Sequence, residues 1–325
     1  MPVQVTIIGL GRIGASIGLA LEAHKEKIFR VGHDKNVTME REAHKKGAVD
    51  KTEHNLPRAV KEARLVVLSL PVSQIRETLE YIKPDLQDGT VVFDTAPVKA
   101  EVAKWAKDHL PEGCYYVGLV PAISAEFLQS RENDPDPAKA NLFSNGIFLV
   151  DAPPGTPEEA VQLASDFVRL LGAEPLLTEI LESDGMIAST HLLPQLASAA
   201  LVNATLDQPG SKDRHKIAGR AYSAVTSGVN FDDVKSLQML TSQNRVNVIH
   251  ALDALIAALY TLRDDIEGEN ETGLQDRLKA AYESRENWLN ERLSANWVEM
   301  HSGPADYPSL SERFFGPLAR RHTKK

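Results

Sequence analysis

The residues Gly9-Leu10-Gly11-Arg12-Ile13-Gly14 set three glycines at the spacing of a turn that wraps a pyrophosphate, and Asp34 follows twenty residues after the last of them. In such a turn the first glycine permits the sharp reversal and the second lets the backbone approach phosphate. The third lets a helix pack closely on the preceding strand. Amides at the start of that helix then point at the anion, where the helix dipole also favours negative charge. An acid at Asp34 is placed to bond the ribose hydroxyls of a dinucleotide. A carboxylate there repels a 2′-phosphate, so NAD is the expected cofactor, and Lys35 beside it keeps NADP open.

These residues need a strand before the glycines, a helix after them and a second strand ahead of the acid. The sequence supplies all three, with apolar strand patterns at 3–8 and 28–32 and an apolar helical stretch at 15–23. Runs at 64–70, 90–94, 115–119 and 146–150 read as further buried strands, with helices expected over 73–81 and 99–109. This alternation implies an α/β fold, a doubly wound parallel Rossmann sheet. Leu70 at the end of one strand, with Pro71 and Thr95 just past strand ends, then joins the glycine turn in the crevice at the carboxyl edge of the sheet.

A helix with Thr156 as its N-cap closes at Gly172 and leads to a strand over 173–178. Beyond residue 180 the pattern is helical, with segments expected at 182–207, 213–228, 232–266 and 270–295. The reading is of an NAD-binding domain over 1–180 and an all-helical substrate and dimerisation domain over 181–325. A wide apolar face that includes Val246, Val248, Ile249, Leu252, Ile256 and Leu259 suits a homodimer formed through the helical domain.

The 325 residues carry a formal net charge of −9, from 36 Lys and Arg against 45 Asp and Glu. That balance argues against a general nucleic-acid binder, which needs clustered cations to neutralise phosphates. The basic tail at 320–325 reads as a solvated terminus. A single cysteine, Cys114, makes an internal disulfide impossible and fits a cytoplasmic protein, and no secretory leader is expected. Residues 185–206 carry no formal charge but hold His191, Pro194, Gln195 and Asn203, so they read as a buried helix and not a membrane span. His24, His33, His44 and His54 show no ligand spacing, and no metal is expected.

The order of motifs resembles the prephenate/arogenate dehydrogenase family of tyrosine biosynthesis. Residues 9–21 are similar to its opening loop and helix, and Leu68-Ser-Leu-Pro-Val72 to its fourth strand. Ser189-Thr-His-Leu-Leu-Pro-Gln195 resembles its Ser-His-Leu-Pro helix, and Ala218-Gly-Arg-Ala-Tyr222 its Ala-Gly-Gly-Phe segment. Ser242-Gln-Asn-Arg245 fits its dimer-forming region, and the resemblance extends to about residue 290. It implies an NAD(P)-dependent dehydrogenase that takes hydride from a hydroxylated, prephenate-like carboxylic acid, with or without decarboxylation.

The chain departs from the family at three catalytic positions, where Pro97, Val120 and Ser227 stand in place of a Ser, a His and an Arg. Asp94, Lys99 and Glu126 are retained, and His191 falls at the family's second site histidine. The catalytic residues expected from this are His191, Lys99 and Glu126. His191 would be the imidazole able to move a proton near neutrality. Lys99 would be a cation for a carboxylate, or an acid/base if burial lowers its pKa, and Glu126 a polar contact. Two other readings start from the same residues. One is a non-catalytic NAD-binding regulatory or sensor dimer, and the other a dehydrogenase like the β-hydroxyacid or imine reductases with a different substrate.

Overall fold

A computed structural model describes residues 2–128, 137–206, 208 and 211–297, so the basic tail at 320–325 lies outside the described residues. The chain divides into two compact units. One runs to Ile180 and resumes at Arg285, and the other is Leu181–Ser284.

In the first unit the strands are β1 (Val3–Ile8), β2 (Ile28–His33), β3 (Lys51–Thr52), β4 (Leu65–Leu68), β5 (Val91–Asp94), β6 (Tyr115–Ala122), β7 (Ile147–Asp151) and β8 (Glu174–Thr178). They form one sheet in the order β3-β2-β1-β4-β5-β6-β7-β8. Neighbours are parallel throughout except β6 and β7, which pair antiparallel with Val120 opposite Leu149. The sheet is therefore not wholly parallel. An apolar strand carries the same pattern in either direction, so its sequence does not report the reversal.

Helices α1 (Arg12–Ala20), α2 (Val37–Lys45), α3 (Leu56–Val60), α4 (Val72–Ile82), α5 (Ala100–His109) and α6 (Glu158–Leu170) belong to this unit. Every residue of β4 and β5 is buried, as befits strands in the interior of a parallel sheet covered on both faces. Phe93 of β5 meets Phe167 of α6 edge-on, with ring centroids 5.4 Å apart. Thr156 does not cap α6. Pro157 holds the N-cap position, and the Thr156 hydroxyl instead donates to the Pro153 carbonyl at 2.8 Å, closing a local turn. Beyond α6, Gly172 takes φ +79°, a conformation costly for any side chain.

Arg30 of β2 is fully enclosed and ties this part of the fold together. Its guanidinium meets Asp50 at 2.6 Å through Nη2 and 3.0 Å through Nε, and Nη1 donates to the carbonyls of Gly18 and Gly47. Burial pushes the Asp50 carboxyl upward, but bonding to Arg30 overcomes this and holds it below its ordinary value. The segment from Arg285 is fastened to the same unit at two points. Arg292 donates to the Ile123 carbonyl, and the Trp297 indole donates to the Asn145 carbonyl at 2.9 Å.

The second unit is helical, from α7 (Ile180–Ile187), whose first residue ends the other unit, through α8 (Leu193–Thr205), α9 (Lys212–Ile217), α10 (Arg220–Thr226), α11 (Val234–Gln243) and α12 (Arg245–Glu267) into α13 (Glu271–Ser294). Residues Ala188–Leu192 between α7 and α8 form a π-helical turn. The helix expected over 213–228 is split ahead of Gly219, and that over 232–266 is broken at Asn244. The Asn244 side chain at this break donates through Nδ2 to the Asp184 carbonyl at 2.6 Å.

By length and composition alone, Ile180–Thr205 and Arg245–Glu267 could each cross a membrane. The first of these stretches includes the uncharged run and buries Ala188, Leu192, Gln195 and Ser198, so it is buried along one side only. On α12, Val248 and Asp265 are the buried residues. Val246, Ile249, Ile256 and Leu259 remain 46–67% exposed in the single chain.

Candidate functional site

The glycine turn joins β1 to α1 with a different constraint at each glycine. Gly9 has φ +92°, and a Cβ there would lie 2.1 Å from the Ser69 carbonyl oxygen. A Cβ on Gly14 would lie 1.9 Å from the Gly9 carbonyl oxygen. Both positions are closed to any side chain. Gly11 differs, with nothing within 4 Å of an added Cβ. As the N-cap of α1 it offers no side-chain bond to the first amides of the helix. Open space before uncapped amides is where an anion such as a pyrophosphate would be received.

Asp34 stands at the end of β2 and is fixed by the turn itself. Its Oδ2 accepts from the Leu10 amide at 2.9 Å and its Oδ1 from the Asn36 amide at 2.8 Å. A carboxylate has about four lone-pair directions, so two amides leave capacity for a diol. Neighbouring strand ends are stitched to each other, Gly9 to His33, Ser69 to Ile8 and Thr95 to Leu68, by backbone bonds of 2.8–3.0 Å. Leu70 and Pro71 continue from Ser69 into α4. The sequence-derived cofactor residues therefore converge on one edge of the sheet, where Lys35 is exposed beside Asp34.

Lys99, expected as a substrate cation or an acid/base, is completely buried together with Asp94. Its Nζ lies 2.8 Å from both Asp94 oxygens. The Tyr116 hydroxyl donates to Asp94 Oδ2 at 2.6 Å, and the Ala96 amide to Oδ1 at 2.8 Å. Gly118 makes the room, since a Cβ there would fall 2.6 Å from Lys99 Cδ and 2.9 Å from the Tyr116 hydroxyl. Lys99 is thus not an exposed first-turn lysine. With Asp94 it fixes the loop that carries Pro97 after β5. Val120 is buried within β6, and Glu126 is exposed, accepting from the Asn141 amide at 2.5 Å.

In the second unit His191 lies in the π-helical turn, a local widening often found at functional positions. Its Nε2 is 2.8 Å from Asp232 Oδ2, with the two side chains 37% and 25% exposed. Gln195, one turn on, donates to the same oxygen at 2.8 Å and accepts from the Asp232 amide at 3.2 Å. Burial raises the Asp232 carboxyl, but bonds from His191 and Gln195 and the imidazole's charge outweigh it and hold the group below its ordinary value. The result is an oriented imidazole–carboxylate pair with a partly accessible ring. Asp232 escapes sequence reasoning because it lies 41 residues from His191, in a segment whose acids read as an ordinary helix start. Ser227 is exposed and donates to the Ala224 carbonyl.

Residues 17–177 match the family model described as the nucleotide-binding domain of prephenate dehydrogenase. The nucleotide-binding domain of this chain is thus that of the prephenate dehydrogenase family. The family match begins inside α1, so the glycine turn stands on its own geometry. Cyclohexadienyl dehydrogenase of Zymomonas mobilis is 26% identical over 286 residues, covering 87% of this chain and 94% of that protein. Prephenate dehydrogenase of Bacillus subtilis is 23% identical over 284 residues, 87% of this chain and 75% of its own length. Among solved structures, prephenate dehydrogenase of A. aeolicus in complex with hydroxyphenyl propionate and NAD+ shares the fold with a TM-score of 0.78, at 21% identity over 88% of this chain and 98% of that one. Synechocystis arogenate dehydrogenase gives 0.71 at 22% identity, over 88% of this chain and all of that one.

Proposed function

We propose that this protein is a member of the prephenate dehydrogenase family, an NAD-dependent dehydrogenase acting on a hydroxylated, prephenate-like carboxylic acid. The observation that carries the reading is the turn itself, with an open Gly11 between two crowded glycines and Asp34 pinned at its rim. Such a turn fits a dinucleotide, and NAD bound there would accept the hydride. Amides at the start of α1 would hold the pyrophosphate, and Asp34 the ribose diol, rejecting a 2′-phosphate.

Val120 cannot move a proton, so the imidazole of His191 is assigned the substrate hydroxyl proton, with Asp232 orienting the ring and balancing its charge. Lys99 acts through Asp94 as a positioning residue, and Glu126 is a polar contact at the site. The protein is inferred to be cytoplasmic, binding neither nucleic acid nor membrane.

The test is NADH absorbance with purified protein, prephenate or arogenate, and NAD or NADP. Turnover with NAD is expected. NAD binding without turnover on either acid would overturn the reading in favour of a non-catalytic nucleotide-binding protein. Gly11→Ala separates binding from folding. Its backbone conformation suits alanine and its surroundings are open, so stability should stay within about 0.5 kcal/mol. NAD affinity should fall by about tenfold, roughly 1.4 kcal/mol.

The exposed apolar face of α12 supports a homodimer through the helical unit, because a row of large aliphatic side chains left in water is costly. Sedimentation should therefore give twice the 35.7 kDa chain mass. A monomer at micromolar concentration would exclude the dimer.

A further inference from the structure

We infer a binding site for one divalent transition-metal ion, of the Zn2+ type, formed by His33, Glu40 and His54. The histidines were scattered in sequence, but the fold brings one from the end of β2 and one from the loop between β3 and α3 to a glutamate on α2. His54 Nδ1 lies 3.2 Å from both Glu40 oxygens, and His33 Nδ1 lies 3.7 Å from Glu40 Oε1. All three donor atoms fall within 4.8 Å of one another. Zn2+ bound at about 2.0–2.1 Å to nitrogen and oxygen donors in a tetrahedron needs donor separations of about 3.3–3.4 Å. Two edges already bracket that value. The third closes by rotation of the His54 ring, whose side chain is 58% exposed and free to adjust.

Charge and chemistry point the same way. The Glu40 side chain is only 5% exposed, and among the described residues its ion-pair partners are the two imidazoles. A buried carboxylate without a permanent cation is costly, and as metal ligands, a role in which imidazole is neutral, the two histidines would leave the ligand set one negative charge. A dication reverses that sign. Two nitrogens and one oxygen suit zinc-class ions over Mg2+ or Ca2+, which prefer all-oxygen shells. One outer contact supports the site and one competes with it. Glu40 Oε1 accepts from the Asp34 amide at 3.1 Å, which orients the carboxylate. His33 Nδ1 lies 3.1 Å from the Glu53 carbonyl, a contact exchanged for coordination when the ion binds. The remaining coordination position would hold water. The site does not depend on the function proposed above, although it would clamp the loop that presents Asp34.

Isothermal titration of chelator-treated, full-length protein with ZnCl2 alone tests the site. Saturable binding of one ion per chain is expected, weakened more than about tenfold by both His54→Ala and Glu40→Gln, since loss of a mere outer partner already costs that much. His44→Ala, an exposed imidazole on α2, should leave binding intact. Cobalt(II) should give the visible absorption of a four-coordinate ion, and Glu40→Gln should abolish it. Absence of saturable binding would overturn the proposal. So would binding that survives in both ligand variants, or that falls equally in His44→Ala. His54 lies largely outside the core, so its variant reports on the site without unfolding the protein.

Discussion

Asp94→Ala is expected to destabilise the protein by about 3–5 kcal/mol, the loss typical of breaking a buried ion pair from one side. Lys99 and Asp94 are both completely enclosed. Removing the carboxylate deprives the enclosed ammonium of its Asp94 counter-ion and takes away an acceptor of the Tyr116 hydroxyl and of the Ala96 amide. Denaturant unfolding reads the loss directly. The pair itself is not the source of the cost. Its attraction largely offsets the expense of dehydrating two charges. Replacing both members with apolar residues of similar size, Asp94→Leu with Lys99→Met, should therefore recover most of the lost stability. A single variant that loses less than about 1 kcal/mol would show that water reaches Lys99. The loop after β5 holds Thr95, so Asp94→Ala should also weaken NAD binding in proportion to its disorder.

The second large effect is kinetic. His191→Ala should lower kcat by about 10²–10⁴-fold, the usual contribution of a positioned acid or base, while NAD affinity stays constant because the nucleotide-binding residues all belong to the first unit, at the ends of β1, β2, β4 and β5. Asp232→Asn should retain the shape of the cluster but lose its charge. Asp232 is held below its ordinary carboxyl value, so it is ionised throughout the neutral range and the substitution removes an anion at every working pH. An amide can also hold the imidazole in the wrong tautomer. A fall in kcat of at least about tenfold is expected, with the Michaelis constant for NAD unchanged. If His191→Ala retains near-normal kcat, the proton passes through another group and the dyad is structural.

The nucleotide-binding half was legible because its signals are local. A glycine can be recognised at Gly9 and Gly14 from spacing alone, since the chain that folds back on each is only a few residues away or on the adjoining strand. The apolar runs that became β4 and β5 are unambiguous for a similar reason, being buried on both faces. Direction is not encoded in such a run, and β7 entered the sheet reversed. What the sequence hid were the relations between distant residues. His33, Glu40 and His54 come from three elements, and no ligand spacing survives that separation. His191 was visible as an imidazole but not as half of a pair, because Asp232 looked like any acid before a helix. Lys99 presented the opposite problem. A lysine at the start of a helix normally faces water, and the space that swallows it is made by Gly118 on another strand.

The way the chain closes on itself has a consequence for how the molecule is made. The first unit is interrupted after Ile180 and completed only by residues from Arg285 onward, where Arg292 and Trp297 seek carbonyls at Ile123 and Asn145. On the ribosome the sheet emerges early, as N-terminal domains usually do, yet its last contacts wait for more than a hundred intervening residues. Contacts of such separation are the slow ones to form. Newly made chains should therefore pass through a stage in which the nucleotide-binding unit is assembled but unsealed, and the final stretch of helix acts as the stitch that finishes it.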